Sequence, residues 1–328
     1  MRGIALLTGG TGFIGSHLSE EMARAGWRVR ALVRKPTKPR WLQGLDVDIA
    51  KGDVEEPSSL PSALKGAELV LHCAGLTKAN RLSDYMKANA QGTQALVEAC
   101  VRAGVRRFVY CSSQAAMGPA TRARPRVEED ASEPITDYGV SKLEGERAVQ
   151  NCSGQMEWMI LRPPAVFGPR DEQFLPLFRM IKRYGRYPAF GRDERSYSWV
   201  FVRDLVSALR LAAQTETGLN EIYFVADDSP VTWREISEIA TSLHKGRVRP
   251  LPYLPLPVLQ IIALFSEGAA RLRGKAALFN RQKLAEILAP GWVVSSEKIR
   301  RRLGFQCQTP LAEAVRETVD WYEGQGWL

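Results

Sequence analysis

A tyrosine, a lysine and a serine have the types and the spacing to move a proton at an oxygen atom. Tyr138 and Lys142 stand four positions apart, and Ser113 precedes them in the chain. Residues four apart share one face of a helix, so the phenol and the ammonium can face the same bound molecule. The cation favours phenolate, and we expect it to lower the pKa of Tyr138 from its ordinary value of about 10. The pattern predicts that Tyr138 transfers a proton while the Ser113 hydroxyl holds the reacting oxygen.

A glycine-rich turn near the start of the chain predicts a dinucleotide site. The apolar segment 4–7 leads into Thr8-Gly-Gly-Thr-Gly-Phe-Ile-Gly15, which has glycines at positions 9, 12 and 15. These glycines permit a tight turn, close approach of the backbone to a pyrophosphate, and close packing of a helix on a strand. Apolar residues at helical spacing follow, and the N-terminus of that helix would suit a phosphate. A glycine turn without a ligand is the alternative for this motif taken alone.

Six short apolar segments predict the strands that position these residues. They lie near residues 4–7, 29–33, 46–50, 69–73, 107–112 and 157–161, and they alternate with helical stretches. Such alternation predicts parallel βαβ units with helices on both faces of one sheet. The expected fold class is α/β, a doubly wound parallel Rossmann sheet with a smaller, mostly helical C-terminal substrate domain.

Length and composition agree with an ordinary globular protein of two domains. The chain has 328 residues, of which 45% are hydrophobic and 25% are charged. We expect a nucleotide-binding domain over residues 1–165, with its sheet completed by 220–226, and a substrate-binding domain over 166–328. The net charge of +9 comes without a nucleic-acid motif. Its basic runs are therefore interpreted as solvated faces, and no nucleic-acid partner is expected.

The chain resembles the extended short-chain dehydrogenase/reductases of the NAD(P)-dependent epimerase/dehydratase superfamily over nearly its whole length. The motifs that carry the resemblance are the three glycines and the segments Gly52–Val54, Val70–Gly75, Lys87–Thr93, Phe108–Ser113, Leu161–Pro169 and Val200–Leu205. The resemblance implies an NAD(P)-dependent enzyme whose catalytic residues are Ser113, Tyr138, Lys142 and Asn89. Lys142 would also anchor the nicotinamide ribose, and Asn89 would organise the backbone. Ser112 is the alternative to Ser113, and a surface asparagine is the alternative for Asn89.

The resemblance also implies a set of cofactor contacts, with Asp53 beside the adenine. The set comprises Gly9, Gly12, Phe13, Ile14, Gly15, Asp53, Val54, Ala74, Gly75, Tyr138, Lys142, Pro163 and Val166. Arg34 and Lys35 follow the second strand, where an acidic residue of an NAD-preferring site would receive the ribose hydroxyls. Two basic residues in this place favour NADP(H) over NAD(H), and an ordinary surface arginine is the alternative.

Fewer residues bear on the substrate, and Ser113, Met117 and Arg195 are its expected contacts. Met117 stands where many nucleotide-sugar epimerases have an aromatic residue, and we expect its apolar side chain at the substrate entrance. Arg195 could contact the diphosphate of a nucleotide sugar. The later segments 250–265, 292–298 and 303–305 resemble the 3-beta-hydroxysteroid dehydrogenase branch, and the dihydroflavonol-reductase-like branch is close by.

The sequence is compatible with three functions. The first is NADP(H)-dependent interconversion of a secondary alcohol and a ketone on a largely apolar substrate, such as a sterol-like, polyketide-like or acyl-chain molecule. The second is a nucleotide-sugar epimerase or dehydratase that holds its NAD(P) tightly. The third is a nucleotide-binding regulator without turnover, against which the intact set Ser113, Tyr138 and Lys142 argues.

The apolar segment 253–275, which has basic neighbours, bears on where in the cell the protein is found. Prolines and a short apolar run exclude a spanning helix, but the segment could lie on an anionic membrane surface, cap an apolar pocket or form a buried helix. The first strand begins at once, so we expect no signal peptide and a cytoplasmic location, with peripheral membrane contact and a homodimer left open. The five cysteines, His17 and His72 are assigned to packing, and no metal site is expected.

Overall fold

Seven parallel strands form the centre of the fold. The computed structural model describes residues 3–35, 40–187, 195–239, 248–251, 255–272, 277 and 279–328. In chain order its strands are β1 (Ile4–Thr8), β2 (Arg28–Val33), β3 (Val47–Lys51), β4 (Ala67–His72), β5 (Arg107–Cys111), β6 (Glu157–Arg162), β7 (Ala165–Phe167), β8 (Arg186–Tyr187), β9 (Ser196–Tyr197), β10 (Trp199–Phe201), β11 (Glu221–Phe224), β12 (Val231–Thr232) and β13 (Arg249–Pro250). The large sheet has the order β3-β2-β1-β4-β5-β6-β11, with every neighbouring pair parallel. The predicted doubly wound Rossmann sheet is confirmed.

Helices cover both faces of this sheet. They are α1 (Phe13–Arg24), α2 (Leu60–Leu64), α3 (Leu82–Tyr85), α4 (Gly92–Ala103), α5 (Asp137–Gln150), α6 (Leu175–Tyr184), α7 (Val202–Gln214), α8 (Trp233–Ile239), α9 (Leu256–Leu272), α10 (Arg281–Leu288), α11 (Glu297–Leu303) and α12 (Leu311–Gly324). One buried cluster joins Met22 of α1, Leu209 of α7 and Val319 of α12. A second cluster, on the other face, includes Leu96 of α4 and Val149 of α5.

The six strands predicted from apolar segments are all present, and their ends lie within two residues of the predicted ones. Strands that are covered on both faces read as continuous apolar runs, which is why the sequence reveals them well. In β1, for example, Ala5, Leu6 and Leu7 are each 0% exposed.

β11 returns the chain to the sheet after a long excursion. It pairs in parallel with β6, and the residue before it, Asn220, has a φ of 58°. The N–H of Asn220 donates to the carbonyl of Trp158, and its side-chain oxygen accepts the N–H of Trp158. Asparagine tolerates this left-handed conformation better than most residues. A strand at the predicted position 220–226 thus forms the sheet edge.

The later part of the chain also forms three two-stranded sheets, β7 with β10, β9 with β12, and β8 with β13. Its helices α7 and α12 pack on the large sheet, so the later part shares the core of the earlier part. The domain boundary between residues 165 and 166 stays a prediction.

The helix α9 does not bear out the idea of a buried helix in segment 253–275. Leu264 is 58% exposed and Phe265 is 75% exposed. Residues 253–254 at the start of this segment and 273–275 at its end lie outside the described residues. No helix in the described part of the chain combines the length and the apolar character needed to cross a membrane.

Candidate active site

The glycine turn joins β1 to α1 at the carboxyl edge of the sheet. Gly9 has a φ of +74°, and a Cβ there would lie 2.6 Å from the backbone nitrogen of Ala74. A Cβ on Gly15 would lie 2.2 Å from the carbonyl oxygen of Gly9, whereas a Cβ on Gly12 would meet that oxygen only at 3.3 Å. The protein's own packing therefore requires Gly9 and Gly15. The packing around Gly12 is less restrictive, since a Cβ there would meet that oxygen alone and no other atom of the protein.

The first turn of α1 fits an anion. Phe13 and Ile14 begin the helix and are partly buried against the core. The N–H of Ser16 donates to the carbonyl of Gly12, and the N–H groups before it are the ones that a helix leaves without an internal partner. Phosphates bind at such N-termini, because the N–H groups and the helix dipole both favour negative charge.

Four predicted cofactor contacts follow the neighbouring strands β2 and β3 at the same edge of the sheet. Thr8 pairs with Leu32 in register, so Arg34 and Lys35 emerge just past β2, next to the glycine turn, and both are exposed. Asp53 follows β3, and its Oδ1 accepts the N–H of Glu55 at 3.1 Å. Val54 is only 8% exposed and packs into the core. The predicted adenine-side residues therefore share one edge of the sheet with the glycines.

The loop after β4 connects the glycine turn to the predicted catalytic set. The N–H of Ala74 donates to Oγ1 of Thr8 at 3.2 Å. At Gly75, a Cβ would lie 3.3 Å from Oδ1 of Asn89 and 3.9 Å from Nζ of Lys142. The predicted cofactor contacts Ala74 and Gly75 are thus neighbours of two predicted catalytic residues.

Ser113, rather than Ser112, faces Tyr138. The Ser113 hydroxyl accepts the N–H of Ala115 at 3.1 Å and lies close enough to the phenol of Tyr138 to lower its pKa. Ser112 is 4% exposed, and its hydroxyl donates to the carboxylate of Glu146 inside the protein. Successive residues of an extended chain point in opposite directions, so only one of the two serines can reach the tyrosine.

Tyr138 lies in the first turn of α5. Thr136 is the N-cap of this helix, and its hydroxyl accepts the N–H of Gly139 at 3.1 Å. The ring of Tyr85 meets the Tyr138 ring edge-on, with 6.2 Å between the centroids. The hydroxyl of Tyr85 accepts the N–H of Ala79, which fixes that ring in place. The phenol of Tyr138 therefore has an aromatic neighbour on one side and the Ser113 hydroxyl on another.

The expected lowering of the Tyr138 pKa is not found. Burial raises the pKa of Tyr138 above its ordinary value, while the Lys142 ammonium and the Ser113 hydroxyl lower it by less. Burial penalises the charged phenolate, and here that effect outweighs the attraction of the cation. The sequence pattern shows that a lysine four residues away can attract the phenolate of Tyr138. It does not show how deeply the phenol is buried.

Lys142 is 3% exposed and is held by two groups of β5. Its Nζ donates to the carbonyl of Cys111 at 2.9 Å and lies 4.1 Å from the centroid of the Tyr110 ring. A cation over an aromatic face is attracted by the ring's negative face. The sequence reasoning missed Tyr110, although its position two residues before Ser112 on a predicted strand is a usable signal.

Asn89 is an organiser of the backbone, not a surface residue. It is 1% exposed and lies in a short π-helix, Met86–Gln91, between α3 and α4. Its Oδ1 accepts the N–H of Leu76 at 2.7 Å, and its Nδ2 donates to the Leu76 carbonyl and to the Ser141 hydroxyl, both at 2.9 Å. The amide thus ties the loop after β4 to α5, the helix that carries Tyr138 and Lys142. Such π-helical turns are frequent at functional sites.

A buried ion pair that the sequence reasoning missed also fixes α5. Glu146 is 1% exposed and Arg162 is 3% exposed. Both guanidinium nitrogens Nε and Nη2 of Arg162 donate to the Glu146 carboxylate, which also accepts from Ser112. Glu146 stands four residues after Lys142, where a sequence pattern would pair those two instead.

Met117 does not line a substrate entrance. It is 0% exposed and packs against Phe224, Ala226 and Val294. The short 3-10 turn Gln114–Ala116, whose N-cap is Ser113, leads directly to this buried position. The expectation that Met117 is a substrate contact at the surface is therefore wrong.

The remaining predicted residues lie on separate elements. The carbonyl of Pro163 accepts the N–H of Gln114 at 2.8 Å, which places the segment after β6 beside the serine loop. Val166 lies in β7, paired with Val200 of β10. Arg195 precedes β9 and lies near the phenol of Tyr197.

His72 is a packing residue, as expected. It is 0% exposed, with Nδ1 bonded to the Thr8 hydroxyl at 2.6 Å and Nε2 bonded to the Thr93 hydroxyl at 2.9 Å. Burial, assisted by the nearby Lys142, lowers the pKa of His72 to about 3. Among the described residues, no group of three or more His, Cys, Asp and Glu side chains could hold a metal ion.

Comparisons with known proteins agree with this arrangement. A model of the NAD dependent epimerase/dehydratase family matches residues 5–226. The ceramide reductase of Caulobacter vibrioides is 33% identical, over 100% of this chain and 96% of that protein. Sterol demethylase protein B of Methylococcus capsulatus is 29% identical, over 98% of this chain and 99% of that protein. The solved structure of MoeE5 in complex with UDP-glucuronic acid and NAD is 26% identical, covers 98% of this chain and 100% of that one, and gives a TM-score of 0.77.

Proposed function

The chain belongs to the NAD dependent epimerase/dehydratase family, and from that premise we propose that it interconverts a secondary alcohol and a ketone on a largely apolar substrate, with NADP(H) as its cofactor. The observation that carries this proposal is the position of the Tyr138 phenol, where both the Ser113 hydroxyl and the buried Lys142 ammonium act on it. Of these groups, Lys142 lies next to the loop after β4, which also contacts the glycine turn.

The residues present fit a dinucleotide. Because Gly12 has no side chain, a pyrophosphate could approach the N-terminus of α1 closely. Arg34 and Lys35 would hold the 2′-phosphate of NADP(H), and Lys142 would contact the nicotinamide ribose across Gly75. When bound, the cofactor would supply or accept the hydride.

The protein's own part in the reaction is proton transfer and orientation. Ser113 would donate a hydrogen bond from its hydroxyl to the substrate oxygen and hold that oxygen near Tyr138. Because burial raises the pKa of Tyr138, the phenol keeps its proton at neutral pH and is ready to donate it during ketone reduction. Oxidation of the alcohol needs the phenolate and should therefore speed up as the pH rises.

The names of two relatives support an apolar substrate. The relatives named ceramide reductase and sterol demethylase protein B both align over nearly the whole chain. Both names refer to lipids. We therefore propose a keto lipid, with an acylated long-chain molecule of the ceramide kind as the first candidate.

The test is NADPH oxidation with a panel of carbonyl substrates, comprising a keto derivative of a ceramide, a 3-keto sterol and a short soluble ketone. We expect the lipid ketones to be reduced and Tyr138→Phe to lower kcat by about 100-fold or more, while cofactor binding measured by fluorescence stays near that of the wild type. The wild-type reduction rate should decline only at alkaline pH. Ketone reduction that survives Tyr138→Phe would remove the tyrosine from the mechanism.

A nucleotide-sugar epimerase is the second candidate. It is favoured by the similarity to MoeE5, whose structure contains UDP-glucuronic acid and NAD. An epimerase restores its cofactor within each cycle, whereas a dehydrogenase releases it oxidised or reduced. Conversion of UDP-glucose with no net change in nicotinamide absorbance would therefore select this alternative.

A further inference from the structure

The helix α9 has its polarity reversed with respect to an ordinary surface helix. Six of its large apolar residues face solvent, with exposed fractions of 39% for Leu256, 40% for Val258, 55% for Ile261, 43% for Ile262, 58% for Leu264 and 75% for Phe265. Ala263 is 0% exposed, and the side chain of Glu267 is 14% exposed and pairs with Arg281. A helix of a water-soluble protein normally turns its apolar stripe inward and its charges outward.

This surface concentrates the exposed apolar residues of the protein. Of the eleven large hydrophobic residues that are exposed in the described part of the chain, six lie on α9, and a seventh, Leu251, lies just before it. An eighth, Tyr184, lines the same groove as Leu251. Contiguous apolar surface of this kind marks a contact with a partner or a membrane, because exposing it to water is unfavourable.

Basic residues lie around Leu251, the exposed apolar residue that precedes α9 in the chain. Arg186 of β8 pairs in register with Arg249 of β13, and β13 leads through Leu251 towards α9. Arg183 stands at the end of α6, 5.5 Å from the ring of Tyr184. All three arginines are exposed, and none takes part in an ion pair among the described residues. Their charge complements an anionic surface.

Two consecutive residues link α9 to the helix that carries Tyr138. Arg281 pairs with Glu267 of α9, and the side chain of Gln282 accepts the N–H of Asp137 at 2.8 Å. Asp137 is the residue before Tyr138 and the first residue of α5. A partner bound on α9 would therefore lie beside the catalytic helix.

We propose that the outer face of α9 docks on an anionic lipid bilayer, with its apolar side chains among the acyl chains and Arg183, Arg186 and Arg249 at the headgroups. Interfacial helices bind membranes through such a combination of apolar burial and basic charge. A second copy of the chain fits less well, because a two-fold contact through α9 would bring the same arginines towards each other. The inference rests on the proposed apolar substrate, which would reach the site directly from the lipid phase.

The test is flotation of the full-length protein with vesicles of phosphatidylcholine, with or without phosphatidylglycerol. We expect the wild type to float with the anionic vesicles. The double variant Ile261→Ser/Phe265→Ser should bind about tenfold or more weakly, because it removes apolar burial worth several kcal/mol. Val127→Ser, which changes an exposed apolar residue far along the chain from α9, should bind like the wild type. Arg186→Gln/Arg249→Gln should lose the preference for anionic vesicles.

Two results would overturn the proposal. One is equal flotation of the wild type and the Ile261→Ser/Phe265→Ser variant, with circular dichroism showing both to be folded. The other is a wild-type dimer that does not float and that the same double variant converts to a monomer, which would assign the face to a second copy. Tyr138→Phe should float like the wild type, so a failure of the proposed chemistry leaves this result readable.

Discussion

At the scale of single residues, the charge of Lys142 determines the character of the site. In the described part of the chain, no carboxylate forms an ion pair with it; the Cys111 carbonyl and the Tyr110 ring hold it instead. A carbonyl and an aromatic face support a cation without neutralising it. The ammonium therefore keeps its full attraction for a phenolate or for a bound ligand.

Cofactor choice is also a matter of single residues. Arg34→Asp should shift the ratio of kcat/KM for NADPH over NADH by about tenfold to 100-fold towards NADH, because it replaces a charge-assisted contact with repulsion of the 2′-phosphate. The measurement is steady-state kinetics with both cofactors. Lys65→Asp, an equal change of charge at an exposed residue before β4, should leave the ratio unchanged. An unchanged ratio in Arg34→Asp would show that another residue sets the preference.

The sequence was informative about the residues that a local pattern defines. Ser113, Tyr138 and Lys142 were singled out by type and spacing, and the structure brings them together. Tyr110 and the pair Glu146–Arg162 were missed, because their partners lie across a sheet or between a helix and a strand. The burial that reverses the expected pKa shift of Tyr138 is likewise a property of the folded chain.

At the scale of elements, the glycine turn separates two roles that its sequence motif combines. Gly15 admits no side chain because a Cβ there would lie 2.2 Å from the Gly9 carbonyl oxygen, whereas a Cβ on Gly12 would lie 3.3 Å from that oxygen and needs only a small shift. The apolar strands around the turn could be predicted from their composition. The π-helix Met86–Gln91 could not, since one additional residue in a helical turn leaves no mark on apolar periodicity.

Alanine at the two glycines should separate folding from cofactor binding. Gly12→Ala is expected to unfold within about 3 °C of the wild type and to bind NADPH about tenfold or more weakly, because its φ of −87° suits alanine while its methyl group occupies the phosphate space. Gly15→Ala should lower Tm strongly even without cofactor, because its methyl group meets backbone that no side-chain rotation can clear. Thermal unfolding and fluorescence titration measure both. A Gly12→Ala variant that binds NADPH normally would place the phosphates elsewhere.

At the scale of the whole molecule, His72 couples stability to pH. Its pKa of about 3 in the folded protein lies below the ordinary value of 6.5. At a pH between these two values the unfolded chain therefore binds a proton at His72 that the folded chain does not bind. The stability contributed by neutral His72 is therefore complete above pH 6.5 and is lost as the pH falls from 6.5 towards 3. The slope is about 1.4 kcal/mol per pH unit.

Urea unfolding at pH 7, 6 and 5 measures this contribution. The wild type should lose about 2 kcal/mol more than His72→Gln between pH 7 and pH 5, because glutamine does not titrate. The variant should be the less stable protein at pH 7, since it disturbs the contacts with Thr8 and Thr93. Parallel curves of stability against pH for the two proteins would contradict the assignment.

The position of β11 in the sheet has a consequence for how the chain can be made and divided. β6 remains an open edge until Glu221–Phe224 has been synthesised and has paired with it. An open strand edge invites pairing with other chains, so a fragment that ends near residue 165 would be expected to aggregate. The earlier and later parts of the chain are therefore joined in folding, and a chimera that exchanges the later part must carry a β11 able to close the host's sheet.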